Sequence, residues 1–332
     1  MTNVAVLGAG FMGGTHARAF ARIPNVRVIG VSSRSADKAA ALAQAVGAEP
    51  FTDALALLHD PRVDAVSITL PTHVHANYTI AALRAGKHVL VEKPLALTLA
   101  ECDAMIAAAA TAKRILMVAH VLRFWPEYMA IADLLQRGEL GKPLTATAIR
   151  LCTPPTWGEW FKYPEWTGGA VLDFHIHDLD VLNWLFGAPT RLFSRGQQGA
   201  HGGWDAVVTV LDYAGVACCA EGNALMPGSY PFTMLLRVLC ERGAVEYTLR
   251  ASGEQVDSAD GGASLMVYRN GAAPARLPIA PGDGYDNECA AFVESVRAGV
   301  QPIHGTPAQA RLAVQTALAA RQSIESGETI VI

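Results

Sequence analysis

Charged and aromatic residues are both scarce in this chain of 332 residues. Charged side chains make up 17% of it and aromatic ones 7%, whereas 51% of the residues are hydrophobic. That balance excludes an intrinsically disordered chain. The net charge is −4, so we expect no broad basic surface for nucleic acid or for an anionic membrane. A chain of this length predicts two domains with sizeable cores.

Paired cysteines, long apolar runs and a leader-like N-terminus are also lacking. The six cysteines show no C-x-x-C spacing, which predicts reduced thiols in a cytoplasmic protein and argues against disulfides or a zinc site. No uninterrupted apolar run approaches the length of a membrane span. Gly8 and Gly10 interrupt the apolar N-terminus, so no secretion signal is expected.

The first sixteen residues do contain a specific pattern. An apolar strand over residues 3–7 leads into Gly8-Ala9-Gly10-Phe11-Met12-Gly13, and a helix is predicted from Thr15 to Arg22. This is the G-x-G-x-x-G fingerprint between its strand and its helix. Gly8 permits the tight turn, Gly10 lets the backbone approach a pyrophosphate, and Gly13 lets the helix pack on the strand. The pattern predicts dinucleotide phosphates at the helix N-terminus.

The chain then divides into two parts with different periodicity. Up to residue 120, short apolar strands alternate with amphipathic helices, which predicts an α/β Rossmann domain with a parallel, doubly wound sheet over residues 1–120. Beyond it, alternating or β-branched strands separated by glycine-containing turns dominate. They predict an α+β domain with a large, mostly antiparallel open sheet over residues 121–332.

The end of the second predicted strand indicates which dinucleotide binds. NAD-binding proteins usually place an acidic residue about 20 residues beyond the glycine turn. Ser32, Ser33 and Arg34 stand there instead. Two hydroxyls and a guanidinium suit the 2′-phosphate of NADP. Alternatively, Arg34 is a solvated loop residue and Ser35 a helix cap. We predict NADP in preference to NAD.

A lysine follows the buried strand predicted near residues 88–91, in the segment Glu92-Lys93-Pro94. Lysines avoid burial, so one at the carboxyl end of a core strand, where ligands bind in such sheets, is a candidate for catalysis. Pro94 is expected to follow a cis bond that directs the lysine. The alternative is a surface lysine after a strand.

A third candidate lies in a stretch predicted to be largely helical over residues 168–186. Asp173 and His177 are four residues apart, and Asp180 follows three residues later, so all three are expected on nearly one helix face. A carboxylate beside an imidazole suits acid–base catalysis near neutral pH. The alternative is a capping aspartate with an ordinary helix histidine.

Together these segments make the chain resemble, over nearly its whole length, the glucose–fructose oxidoreductase / inositol dehydrogenase / MocA-like family of nicotinamide-dependent oxidoreductases. The resemblance rests on these segments: Gly8-Ala9-Gly10-Phe11-Met12-Gly13-Gly14-Thr15-His16, Pro71-Thr72-His73, Ala85-Gly86-Lys87-His88-Val89, Glu92-Lys93-Pro94, Arg123-Phe124, and Gly168-Gly169 with Asp173, His177 and Asp180. It implies a Rossmann domain followed by a domain whose large open sheet often joins members, by its outer face, into homodimers or homotetramers.

The resemblance also implies the catalytic residues. The family's catalytic lysine matches Lys93, and its active-site aspartate and histidine match Asp173 and His177. It implies hydride transfer between the nicotinamide and a secondary alcohol carbon, with His177 moving the hydroxyl proton and Lys93 holding the reacting oxygen. Two positions depart from the family. Ser33 stands where NAD-using relatives carry aspartate, and His175 stands where many carry glycine, which predicts a narrower substrate pocket.

The remaining candidates are aromatic or lie near the domain boundary. Trp157, Trp160 and Trp166 stand beside carboxylates before the catalytic helix, an arrangement typical of a wall for a sugar ring, although such rings also anchor loops. The predicted cofactor-binding residues are Gly8, Gly10, Phe11, Met12, Gly13, Ser32, Ser33, Arg34, Pro71, His73, Glu92 and Lys93. The predicted substrate residues are Arg123, Trp160, Trp166, His175 and Tyr285. No metal is expected, because the two H-x-H pairs lack a third ligand.

Three functions are compatible with this sequence. The leading prediction is an NADP-preferring dehydrogenase or reductase of a sugar, an inositol or a related polyol. The first alternative is a reductase of a non-sugar carbonyl compound. The second is a catalytically silent cofactor sensor of the same fold, against which the retention of Lys93, Asp173 and His177 argues.

Overall fold

The computed structural model describes residues 1–154, 158–251 and 262–332, and the chain forms two compact units. The first contains Met1–Trp125 and Gly282–Arg311, and the second contains Pro126–Pro281 and Leu312–Ile332. The segment Gly282–Arg311 thus packs with the N-terminal unit, whereas a division after residue 120 assigns it to the C-terminal domain.

The first unit is built on a six-stranded parallel sheet. Its strands are β1 (Thr2–Leu7), β2 (Val26–Ser32), β3 (Glu49–Phe51), β4 (Ala65–Ile68), β5 (His88–Glu92) and β6 (Leu116–Ala119). Their order is β3-β2-β1-β4-β5-β6, and β1 pairs in parallel with both β2 and β4. The order therefore reverses beside β1, where such sheets bind ligands. The predicted Rossmann sheet is confirmed.

Helices connect these strands. They are α1 (Phe11–Arg22), α2 (Ala36–Val46), α3 (Ala54–His59), α4 (His75–Arg84) and α5 (Leu99–Ala112). α1 begins at Phe11, directly after the second glycine of the turn and earlier than the predicted Thr15. The start of α5 is fixed by a capping box, in which Thr98 Oγ1 accepts from the Glu101 amide at 3.2 Å and Glu101 Oε2 accepts from the Thr98 amide at 3.1 Å.

The second unit contains α6 (Pro126–Gln136) and a nine-stranded sheet. The strands are β7 (Pro143–Leu151), β8 (Arg191–Gln198), β9 (Trp204–Tyr213), β10 (Val216–Asn223), β11 (Phe232–Cys240), β12 (Gly243–Ala251), β13 (Ser264–Arg269), β14 (Ala275–Arg276) and β15 (Ile330–Val331). Their order is β14-β13-β12-β11-β7-β10-β9-β8-β15. β7 and β10 are parallel, and the other neighbours are antiparallel. The mostly antiparallel open sheet is confirmed.

Helices cover one face of this sheet. They are α6, whose Tyr128 ring lies edge-on to Tyr247 of β12, a π-helical turn (Val171–His175), α8 (Ile176–Phe186) and the residues of α10 (Pro307–Ser326) from Leu312 onward. The short helix α7 (Pro164–Thr167) precedes the π turn, and α9 (Gly284–Ala298) belongs to the first unit. The Asn183 amide of α8 donates to Thr316 Oγ1 of α10 at 3.0 Å.

The opposite face of the sheet carries exposed apolar side chains. Along β9, Val207, Thr209 and Leu211 are buried, whereas Val208 and Val210 are 44% and 49% exposed. This alternation is typical of a strand with one face packed and the other open. Among the helices of the described ranges, none is both long enough and apolar enough to cross a membrane.

Candidate active site

The glycine-rich turn between β1 and α1 requires each glycine for a different reason. Gly8 has a φ of 116°, and a Cβ there would lie 2.6 Å from the Thr69 carbonyl oxygen. A Cβ on Gly13 would lie 1.9 Å from the Gly8 carbonyl oxygen, so glycine is needed for α1 to pack on the turn. A Cβ on Gly10 would meet no atom of the described chain within 4 Å. The open side of Gly10 therefore leaves room for a ligand.

The first turn of α1 lies beside this open space. Gly10 is the N-cap residue and supplies no side-chain cap, so the positive end of the helix is not neutralised by a side chain. Met12 is half-buried, whereas the ring of Phe11 is 57% exposed. An uncapped helix N-terminus next to an open glycine fits the pyrophosphate of a dinucleotide.

The end of β2 carries the residues predicted to select the cofactor. Ser32 is buried, and its Oγ has no hydrogen-bond partner within the described residues. Ser33 Oγ accepts from the Ser35 amide at 3.2 Å, and Ser35 Oγ caps α2 by accepting from the Lys38 amide at 3.4 Å. Arg34 is exposed. This end of β2 thus offers hydroxyls and a guanidinium to a ligand, with Ser35 used as a helix cap.

Pro71 and His73 lie after β4, at the same edge of the sheet. Pro71 precedes a 3-10 turn, Thr72–Val74, that carries His73. Burial, followed by the positive charge of Arg34, lowers the pKa of His73 below its ordinary value. That influence requires Arg34 and His73 to lie near each other. The predicted cofactor residues after β2 and β4 both lie at the carboxyl ends of neighbouring parts of the parallel sheet.

Lys93 lies in the turn after β5. It is half-buried between the buried residues Glu92 and Pro94, and the Lys93–Pro94 bond is cis, as expected. The Lys93 backbone N–H donates to Glu92 Oε2 at 3.1 Å. On the other side, His75 Nδ1 lies 2.9 Å from the Pro94 carbonyl oxygen, and its Nε2 lies 2.8 Å from the Leu70 carbonyl oxygen. Buried side chains therefore hold the backbone on both sides of Lys93.

In the second unit, Asp173 and His177 lie on the accessible side of a buried helical segment. A π-helical turn spans Val171–His175, and α8 begins at Ile176, within the stretch that the sequence predicts to be largely helical. Between residues 171 and 183, the residues that are not buried are Asp173, Phe174 and His177. Asp173 and His177 are thus both partly accessible, and the shared helix side stays a prediction from their spacing. Such π turns are frequent at functional sites.

A glycine turn and a carboxylate hold the start of this segment. Gly168 and Gly169 have φ values of 81° and 69°, which side chains other than glycine rarely adopt. Asp205 Oδ1 of β9 accepts from the Ala170 amide at 3.3 Å, and burial raises the pKa of Asp205. Asp205 is absent from the predicted site because nothing in its local sequence links it to a helix that precedes it by some thirty-five residues.

Two further aspartates of α8 are buried. Asp180, predicted on the same side as His177, is 1% exposed. Asp178 is also buried, and its carboxylate accepts from Arg150 Nε of β7 at 2.9 Å and from Arg150 Nη2 at 3.1 Å. Burial raises the pKa of Asp178, although the guanidinium acts in the opposite direction. This ion pair ties α8 to the sheet and lies away from the accessible side.

His175 lies in the packed interior of the second unit. It is fully buried, its Nε2 lies 2.9 Å from Thr209 Oγ1 of β9, and a Cβ on Gly222 would lie 2.7 Å from its Nδ1. Burial, then the charge of Arg150, lowers the pKa of His175 to about 3, so the ring is neutral. This placement favours a packing role for His175 over the predicted contact with substrate.

The predicted aromatic wall forms two stacked pairs. Trp160 stacks on Phe161 with ring centroids 3.9 Å apart, and Trp166 stacks on Tyr163 at 4.6 Å. Trp160 and Trp166 are half-buried, while Trp157 lies outside the described residues. The wall thus presents apolar ring surface from a short segment before the π turn.

The other two predicted substrate residues lie in the first unit. Arg123 is buried in a 3-10 turn, Val121–Phe124. Tyr285 is half-buried at the start of α9, with its ring edge-on to Trp125 at 6.1 Å. Within the described ranges, no three His, Cys, Asp or Glu side chains come together as ligands for a metal ion.

Comparison with protein families identifies both parts of the chain. Residues 2–120 match the oxidoreductase family with an NAD-binding Rossmann fold, GFO/IDH/MocA, and residues 128–246 match the C-terminal domain of the same family.

Individual relatives extend the match to nearly the whole chain. The 1,5-anhydro-D-fructose reductase of Ensifer adhaerens is 29% identical over 293 residues, covering 83% of this chain and 82% of that protein. The myo-inositol 2-dehydrogenase of Thermotoga maritima is 27% identical over 344 residues, covering 98% and 97%. The aldose-aldose oxidoreductase of Caulobacter crescentus, solved with glycerol, shares the fold with a TM-score of 0.87 at 23% identity, covering 100% and 99%. The chain belongs to the GFO/IDH/MocA family and is an NAD(P)-binding oxidoreductase, as predicted.

Proposed function

We propose that this family member transfers hydride between NADP, or less readily NAD, and a secondary alcohol or carbonyl carbon of a sugar, an inositol or a related polyol. The observation that carries the proposal is the accessibility of three side chains. Lys93 is the partly accessible residue of the buried run 91–96, and Asp173 and His177 are partly accessible in the buried run 171–183. Acid–base groups held in this way are candidates for chemistry.

The cofactor supplies the hydride donor or acceptor when it is bound. The open side of Gly10 and the uncapped turn at Phe11 would hold its pyrophosphate. The Ser33 hydroxyl and the Arg34 guanidinium would hold the 2′-phosphate, because residues 31–35 contain no carboxylate to repel it. This arrangement supports a preference for NADP.

Each of the three accessible side chains has a role. His177 takes the hydroxyl proton during oxidation and returns it during reduction, since an imidazole exchanges protons near neutral pH. The Lys93 ammonium holds the reacting oxygen and stabilises the charge that develops on it. Asp173 orients His177 or a neighbouring substrate hydroxyl. Retention of all three is not expected of a catalytically silent sensor.

A carbohydrate-like substrate is supported by two observations. The two curated relatives described above are named as an inositol dehydrogenase and an anhydrofructose reductase. The stacked pairs of Trp160 and Trp166 offer apolar ring surface, which suits the C–H face of a sugar ring.

We also propose that the enzyme is cytoplasmic and forms a homodimer or homotetramer through the open face of its nine-stranded sheet. Val208, Val210, Leu239 and Tyr268 are exposed on that face, and exposed apolar patches of this kind mark interfaces. All six cysteines are free thiols, which suits a reducing compartment. Light scattering of the Val210→Glu variant should report a smaller assembly than the parent; an unchanged mass would contradict this interface.

A substrate panel tests the proposed reaction. Inositols, aldoses, sugar acids and 1,5-anhydro-D-fructose are each assayed with both cofactors in both directions, by the absorbance of reduced nicotinamide. We expect turnover of at least one polyol, with a higher kcat/KM for NADP than for NAD. Tight cofactor binding without turnover of any sugar, inositol or related polyol would overturn the proposal.

A further inference from the structure

A buried cluster of ionisable side chains lies behind the Lys93 turn. It consists of His16 of α1, Ser67 of β4, Glu92 of β5 and Glu288 of α9, all of them buried. His16 Nδ1 lies 2.8 Å from Ser67 Oγ. His16 Nε2 lies 3.1 Å from Glu92 Oε1 and 3.9 Å from Glu288 Oε2. Neither His16 nor Glu288 has a role in the reaction proposed above.

The two carboxyl groups beside His16 differ in charge. Burial raises the pKa of Glu92, but the hydrogen bond and charge of His16, with smaller contributions from Lys93 and His75, hold it below the ordinary value. Burial, followed by the charge of Glu92, raises the pKa of Glu288 well above the ordinary value. In this cluster the charged form is therefore favoured for Glu92 and the neutral acid for Glu288. The charged neighbour of His16 is therefore Glu92.

Glu92 uses its two oxygens in different directions. Oε1 faces His16, and Oε2 accepts the Lys93 backbone N–H at 3.1 Å. Because a carboxylate is rigid and planar, a bond that holds one oxygen also fixes the other. The Lys93 amide is therefore connected, through Glu92 and His16, to Ser67 in the interior of the parallel sheet. This connection sets the direction of the Lys93 backbone without touching its side chain.

We propose that His16 is a positioning residue for hydride transfer, acting through Glu92 to hold the backbone of Lys93. The inference rests on the proposed catalytic role of Lys93. A small displacement of a catalytic group lowers the rate sharply, while cofactor affinity depends on other contacts. Loss of His16 should therefore lower kcat and leave the Kd for NADP nearly unchanged.

Two replacements of His16 separate its hydrogen bonds from its bulk. His16→Leu removes the polar contacts with Ser67 and Glu92 and keeps most of the volume, whereas His16→Gln retains an amide that can still donate to Glu92. The first readout is amide hydrogen exchange at Lys93 in the cofactor-free protein, measured by NMR. With His16→Leu we expect exchange at Lys93 to accelerate by ~10-fold or more, while the Val89 and Leu90 amides of β5 remain as in the parent. With His16→Gln exchange should stay close to that of the parent.

The second readout is kinetic, on the substrate that the panel identifies. His16→Leu should lower kcat by roughly 10- to 100-fold with the Kd for NADP within about threefold of the parent, and His16→Gln should recover most of the loss. Glu92→Gln, which removes the charge but keeps the shape, should lower kcat in the same way. If His16→Leu does not fold, both measurements are made on Glu92→Gln and Ser67→Ala instead.

Two matched controls complete the experiment. Glu288→Gln puts a neutral amide where burial favours the neutral acid, beside the same imidazole, and it should match the parent in both readouts. His88→Gln removes a half-buried histidine at the opposite end of β5, whose Nδ1 accepts from the Ile115 amide at 3.0 Å, and it should alter neither readout. If no polyol of the panel is turned over, the proposed function fails; if Lys93→Met retains full turnover, the catalytic role of Lys93 fails, and the inference about His16 with it. If Lys93→Met is inactive but His16→Leu and Glu92→Gln behave like His88→Gln, the positioning role of His16 alone is wrong.

Discussion

The Lys93 turn of the first unit and the Asp173–His177 segment of the second unit both present polar side chains from buried backbone, but by different means. Around Lys93 the backbone is held by ionisable side chains, with Glu92 on one side and His75 on the other. Around Asp173 and His177 packing and a glycine turn hold it, and the charged contacts, Asp205 on the Ala170 amide and Asp178 with Arg150, lie at neighbouring residues.

The difference extends to the charges nearby. Behind Lys93, His16 Nε2 lies 3.1 Å from the Glu92 carboxylate. The histidine behind Asp173 is His175, and burial keeps it neutral by lowering its pKa to about 3. A backbone segment that is held by ionisable side chains depends on their protonation states, whereas one that is held by packing depends on side-chain volume.

Removal of His177 has the largest expected effect, because it deletes the proposed proton carrier of the second region. His177→Ala should lower kcat by roughly 10²- to 10⁴-fold, with little change in the Kd for NADP. Steady-state kinetics and cofactor titration measure both quantities. The half-buried position makes a large loss of thermal stability unexpected. If the variant keeps full turnover, the acid–base role belongs to Tyr285 or Lys93, and the comparison of the two regions as catalytic sites fails.

Lys93→Met probes the first region in the same way. The methionine keeps much of the packing of the lysine stem and removes its charge, so the melting temperature should hold or rise slightly. Activity should fall by about 10²-fold or more, because a group at the developing charge acts mainly in the transition state.

Lys93→Arg serves as the charge-matched control for this prediction. It should also be poorly active, since a planar guanidinium cannot replace a compact ammonium. Lost cofactor binding with normal turnover at saturation would reduce Lys93 to a cofactor contact.

Much of the architecture follows from local sequence. The change from strand–helix alternation to successive β-branched strands predicts both sheets, because periodicity reports which faces are buried. The three glycine roles were predictable too: the clashes at Gly8 and Gly13 and the open side of Gly10 match the reasons that the fingerprint implies. The common side of Asp173 and His177 stays a prediction from their spacing, although both side chains are partly accessible.

The remaining features depend on partners that are distant in sequence. His16 meets Ser67, Glu92 and Glu288 only because α1, β4, β5 and α9 converge in the first unit. The burial of His175 depends on Gly222 of β10, which has no side chain to exclude the ring. Composition and spacing do not report contacts between distant segments, so neither the cluster around His16 nor the interior position of His175 could be predicted.

The next prediction concerns cofactor preference, which we assign to the more exposed residues that follow β2. Ser33→Asp places a carboxylate where the 2′-phosphate of NADP is proposed to bind, so it should repel NADP and offer the ribose of NAD a hydrogen bond. We expect a shift toward NAD of ~10- to 100-fold in relative Kd, on the order of 1–3 kcal/mol.

Ser35→Asp is the matched control for that shift. It adds the same charge two residues away and preserves the helix cap, since aspartate caps as well as serine. Its effect on relative Kd should be clearly smaller. Equal or tighter binding of NAD by the parent enzyme would contradict the preference itself.

The smallest expected effect is on stability alone, and it tests the charges assigned to the carboxyl groups of the His16 cluster. The pKa of Glu288 in the folded protein is raised above its ordinary value, first by burial and then by the charge of Glu92. Above the unfolded pKa the folded chain keeps a proton that the unfolded chain has lost, so stability falls as pH rises. The slope is at most about 1.4 kcal/mol per pH unit, and it ends at the folded pKa.

Glu288→Gln cannot titrate at this position. The free energy of unfolding of the variant in urea, relative to that of the parent, should therefore grow from pH 5 to pH 8, while kcat is unchanged. Parallel stability curves for the two proteins would show that Glu288 is ionised in the fold, and the single-carboxylate description of the His16 cluster would then be wrong.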